Sequence, residues 1–139
     1  DPPLVEGRYS AVVIHDSGTL AGTADGLPGG LGYHFVIGNG EGSPDGEMVV
    51  SRRWSEQLAG VFPVDADQDE GYADGAIGIC LIGDTGRQAL TDRQMQQLRW
   101  LVTQLQSRLR IPGNQVVPPA GRLFPHARFG RQLLTPRIR

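Results

Sequence analysis

Apolar and polar positions alternate along this chain with two periods. The run YSAVVIH (9–15) is β-branched and apolar and closes on a polar residue, as a buried strand does. DSGTLAGTADGLPGG (16–30) is dense in Gly, Ser and Thr and predicts a loop. YHFVIGNG (33–40) predicts a second strand closed by a Gly38-Asn39-Gly40 turn, with GEMVVSRRW (46–54) as its hairpin partner. PVDADQDEGYADG (63–75) reads as an acidic surface loop, and AIGICLIGD (76–84), the most apolar run, as the central strand.

The period then changes to that of a helix. In residues 91–110, Met95, Leu98, Val102, Leu105 and Leu109 recur at spacings of three and four and form one stripe. Thr91 and Gln94 make a capping box at the start. Arg108 and Arg110 complement the dipole at the end, and Pro112-Gly113 stops the helix. NQVV (114–117) predicts a short last strand and PHARFGRQLL (125–134) a terminal helix, which Gly130 weakens. The expected fold class is α/β, a mixed central β-sheet flanked by helices in one domain over residues 1–139.

Composition adds limits. The 39% hydrophobic and 20% charged content fits a globular domain. No apolar run approaches the roughly 20 residues of a membrane span. No signal peptide is visible, and the start DPPLVEG reads as a mature or trimmed form. Cys80 is the one cysteine, which excludes an internal disulfide; within its apolar run it reads as an inert buried thiol. All 13 basic residues are arginine. Up to Asp84 the chain holds 14 of its 15 acids and three arginines; from Thr85 it holds ten arginines and one acid, Asp92. The arginines either form a basic face for an anionic ligand or offset the acidic half. Nucleic acid is not expected as a partner.

Five stretches occur in an order that carries a resemblance. AVVIHDSGT, LGYHFVIGNG, DGEMVVSRRW, AIGICLIGD and LTDRQMQQLRWLVTQL, within residues 8–134, together resemble the zinc-dependent type 2 N-acetylmuramoyl-L-alanine amidases, a family that includes the peptidoglycan recognition proteins. The resemblance implies a mixed sheet flanked by helices. It also implies a zinc ion in a cleft above the sheet, cleaving the amide between N-acetylmuramic acid and L-alanine. His15 falls on the first zinc ligand. Tyr33 falls on the tyrosine beside the metal and is the catalytic candidate if the chain is active. His34 falls on a structural position, as do Arg53 and Trp54. Alternation along a strand sends Tyr33 and His34 to opposite faces.

The pattern then departs from the family's. Gly121 and Phe124 match a Cys-Pro-Gly-x-x-Phe stretch, which puts Pro119 at the cysteine and Ala120 at the proline. The second histidine ligand has no counterpart, and Phe62 stands where a Gly-Ala-His segment has its histidine. A hydrolytic zinc site needs three protein ligands and an open water position. His15 is therefore expected to be a vestigial ligand, with no cofactor unless the site is functional, in which case zinc. Asp16 and Arg122 are the candidate substrate-binding residues; Arg122 either binds a stem-peptide carboxylate bidentately or is solvated. The leading expectation is an amidase-like domain that binds peptidoglycan or muropeptide with hydrolysis impaired or lost. The alternatives are an active zinc amidase with an unusual ligand set and a protein-interaction scaffold. A peptidoglycan ligand implies the bacterial cell envelope or the extracellular space.

Overall fold

The structure is a computed structural model that describes residues 7–26, 32–63, 72–131 and 133. Five strands form the main sheet: β1 (Ala11–Asp16), β2 (Phe35–Ile37), β3 (Met48–Val50), β6 (Ala76–Leu81) and β7 (Val116–Val117), in the order β3-β2-β6-β1-β7. β1 runs parallel to β6 and β7, β2 runs parallel to β6, and β3 returns antiparallel. The sheet is therefore mixed, with β6 at its centre and every residue of β6 buried. β4 (Gly60–Val61) and β5 (Tyr72–Ala73) pair antiparallel in a small second sheet.

Alternation divides the core. Val12, Ile14, Phe35, Ile37, Ile77, Ile79 and Leu81 line one face of the sheet. Val13, Val36, Ala76 and Cys80 line the other, with Tyr33, Phe62 and Ile82. Helix α2 (Asp92–Leu109) covers the first face with Met95, Leu98, Leu101, Val102 and Leu105. Phe129 of the short helix α3 (His126–Gly130) joins the same cluster.

The capping box at Thr91 and Gln94 is present, and Gln94 does more than cap. Its Oε1 accepts from Thr91 N (3.1 Å), while its Nε2 donates to the Ile82 carbonyl (2.7 Å) and the Ile37 carbonyl (3.3 Å). One buried amide thus ties the start of α2 to the ends of β2 and β6. That matters because the C-terminal ends of the parallel strands are where open α/β sheets place their ligands.

Three predicted elements are corrected. The strand expected over 46–54 is confined to Met48–Val50, and Arg52–Ser55 is helix α1. The cause is Ser51: its hydroxyl donates to the Tyr33 carbonyl (2.6 Å) and accepts from Arg53 N (3.2 Å), which caps a helical turn and buries Trp54. The acidic loop expected over 63–75 ends in β5, because Gly60–Val61 supplies a partner strand; residues 64–71 lie outside the described residues. The terminal helix stops at Gly130, and the end of its predicted span, Leu134, also lies outside them.

Candidate functional site

His15 sits one residue from the end of β1, on the face away from α2. Its Nδ1 lies 2.9 Å from the Tyr33 hydroxyl, within hydrogen-bonding distance. Phe62 stacks on Tyr33, with ring centroids 5.2 Å apart and planes 10° from parallel, and meets His15 edge-on at 6.1 Å. Partial burial lowers the His15 pKa below its ordinary value, and the Asp16 charge opposes that shift, so the ring is neutral at neutral pH. Among the described residues, His15 Nε2 has no hydrogen-bond partner.

Asp16 points elsewhere. Its Oδ2 accepts from Thr85 N (2.8 Å) and Thr85 Oγ1 (2.5 Å), both charge-assisted bonds. The Thr85 carbonyl in turn accepts from Leu123 N (2.9 Å). Gly121 packs so closely that a Cβ there would lie 1.9 Å from Thr85 Oγ1, which explains the glycine. Asp16 and Thr85 therefore fix the 121–124 turn, which carries the exposed Arg122. Thr85 was not singled out from the sequence, where it is one polar residue after an apolar strand. Only the fold reveals its contacts.

The neighbouring histidine has a different task. His34 is fully buried. Its Nδ1 accepts from Gly78 N (2.9 Å), which assigns the proton to Nε2, and Nε2 donates to the Leu58 carbonyl (2.8 Å). Burial pushes its pKa down to about 4. The opposite-face expectation does not apply to Tyr33 and His34, because β2 starts only at Phe35. Phe62 stacks on Tyr33 (5.2 Å) and meets His34 edge-on (6.3 Å), while Tyr33 reaches His15 and His34 is held by the backbone.

Among the described residues, the donor set near His15 does not fit a zinc ion. Phe62 and Pro119 offer no side-chain donor. The Pro119 carbonyl lies 2.7 Å from His126 Nε2, so His126 is held to the backbone. Cys80 pairs in register with His15, but burial pushes its thiol up to about 12, and the ligating form is the thiolate. Among the described residues, no three His, Cys, Asp or Glu side chains gather closely enough to hold a metal.

Solved structures place this architecture in a class. LysC, an N-acetylmuramoyl-L-alanine amidase from Clostridium intestinale, superposes with a TM-score of 0.66 at 20% identity, covering 90% of this chain and 85% of that one. A selenomethionine derivative of AmpD gives 0.61 at 24% identity, over 91% and 86%. The Drosophila peptidoglycan recognition protein SD gives 0.58 at 18% identity, over 84% and 75%. The fold is thus the one shared by amidases and peptidoglycan recognition proteins. The sequence model of the N-acetylmuramoyl-L-alanine amidase family matches residues 6–132, and the chain belongs to that family. A sequence comparison with curated proteins finds no match.

Proposed function

We propose that the chain binds peptidoglycan or muropeptide at the His15–Tyr33 face without hydrolysing it. What supports this reading is that His15 and Tyr33 are paired at 2.9 Å, while the resemblance to the family puts Phe62 and Pro119 at positions where its members carry a histidine and a cysteine. Zinc-assisted amide hydrolysis depends on a metal-activated water. One neutral imidazole replaces too little of a zinc ion's hydration shell to hold it. Binding has no such requirement, since a concave site needs only apolar walls and a few placed polar groups.

In this reading His15 Nε2 and the Tyr33 hydroxyl hydrogen-bond the ligand, and Arg122 receives a stem-peptide carboxylate. Asp16 acts through Thr85, holding the turn that presents Arg122. A peptidoglycan ligand places the protein in the bacterial envelope or outside the cell. Among the described residues, no helix is long and apolar enough to cross a membrane.

The test is co-sedimentation with insoluble peptidoglycan, followed by calorimetry with soluble muropeptide. The chain is expected to pellet, and Tyr33→Phe should weaken muropeptide binding by about 0.5–1.5 kcal/mol, one hydrogen bond. A chain that stays in the supernatant and shows no muropeptide heat at millimolar concentration contradicts the proposal and favours a scaffold.

A further inference from the structure

The segregation of charge along the chain has two readings: a basic face, or two halves that offset each other. The ion pairs decide between them. Arg8 meets Asp74 and Arg52 meets Glu56, both within the acidic half, and Arg87 meets Asp84 at its boundary. Arg93, Arg99, Arg110, Arg128 and Arg131 pair with no acid among the described residues. All of these but Arg99 are exposed. From Thr85 onward Asp92 is the one acid. The arginines of α2 and α3 therefore keep their charge at the surface of these two helices.

The two helices share one surface. Phe129 of α3 packs into the cluster that α2 covers, and Arg99, Thr103 and Phe129 line the seam between them. Arg99 stands in that seam half-buried, its Nε and Nη2 without a hydrogen-bond partner among the described residues. Trp100 is 53% exposed. It follows Arg93 by seven residues, which puts both on one side of α2, opposite the buried stripe of Leu98, Val102 and Leu105. The cavity in the seam is about 10 Å³, too small to seat a sugar or a nucleotide. A layer of anionic lipid headgroups needs no groove. Its interface with water favours the amphipathic indole, and its negative potential attracts arginine.

We propose that the α2–α3 face, through Trp100 and the arginines of both helices, docks the chain on an anionic phospholipid surface. Trp100 enters the headgroup layer, and Arg93, Arg110, Arg128 and Arg131 meet lipid phosphates in charge-assisted hydrogen bonds. α2 covers the sheet face opposite the one that carries Tyr33 and Phe62. The docked chain therefore holds its His15–Tyr33 face away from the lipid. This docking stands independently of muropeptide binding.

The experiment is co-sedimentation of the full chain with vesicles of phosphatidylcholine alone, or of phosphatidylcholine mixed with phosphatidylglycerol, at low ionic strength. The chain is expected to pellet with the anionic vesicles alone and to be released by high salt, which screens the attraction. Each arginine near such a surface contributes roughly a fivefold gain in affinity, so the double variant Arg93→Gln, Arg128→Gln should bind about 25-fold more weakly. Trp54 is buried, so a blue shift of tryptophan emission on anionic vesicles reports Trp100 and should vanish in Trp100→Phe. All three substituted positions are exposed, and circular dichroism checks that the variants are folded. Failure to pellet with anionic vesicles, equal pelleting with both kinds, or a double variant that binds as tightly as the wild type overturns the proposal. So does an unshifted emission on the anionic vesicles. A chain that binds inorganic polyphosphate but no vesicle also overturns it, and makes the face a site for soluble polyanions.

Discussion

Acidification from pH 7 to pH 4 is expected to remove about 3 kcal/mol of folding stability through His34 alone. The unfolded chain protonates this imidazole near its ordinary value of about 6.5. The folded chain resists until about 4, because Nδ1 already accepts from Gly78 N and the ring is fully buried. The folded pKa is depressed, so the stability is complete above 6.5 and declines down to 4, at about 1.4 kcal/mol per pH unit. Below 4 this contribution is spent. His15 is shifted in the same direction and adds to the loss. Urea denaturation at half-unit pH steps measures the slope, and His34→Gln should flatten it between pH 6.5 and pH 4 while lowering stability at pH 7. Asp84 and Glu56 also have lowered values; their contribution is complete well above their ordinary values of 3.8 and 4.5 and declines as the pH falls through them, so they overlap only the acid end of the window. A wild-type slope in this window no steeper than that of the variant contradicts the assignment.

Phe62→Ala should cost about 3–5 kcal/mol, the cost of emptying a large aromatic site in a core. Phe62 is 1% exposed and stacks on Tyr33. Two glycines are shaped around it: a Cβ on Gly60 would lie 2.1 Å from the ring, and one on Gly78 would lie 2.4 Å from it. Phe62 therefore plugs the second face of the sheet, next to His15. The same variant should also weaken muropeptide binding, since Tyr33 loses the surface that orients it. Thermal unfolding and calorimetry measure the two effects. A stability loss below 1 kcal/mol would show that the ring is not packed as described.

Much of this architecture was legible because local pattern and tertiary packing agree. The stripe through Met95, Leu98, Val102 and Leu105 needed only the helical period and a capping box. The alternation of Val12, Val13 and Ile14 across the sheet needed only the strand period. What was not legible depends on distant partners. Arg52–Ser55 is helical because the Ser51 hydroxyl finds the Tyr33 carbonyl, 18 residues away in sequence. Gln94 looked like a cap and is also a bridge to two strands. At the site, His15 and Tyr33 could be named from motifs, but the role of Asp16 could not, because its partner Thr85 lies 69 residues on. Phe62 was visible only as a residue at a histidine position. That it fills the space beside Gly60 and Gly78 is a property of the fold.

The most direct test of the central claim, binding without hydrolysis, is one NMR titration of soluble muropeptide with the full chain in the presence of equimolar zinc. The account predicts saturable shifts in the muropeptide resonances, with the bond between N-acetylmuramic acid and L-alanine intact after prolonged incubation. Resonances of the free sugar and of a peptide with a new L-alanine amino terminus would contradict it, because they would show that this chain assembles a working metal site around His15.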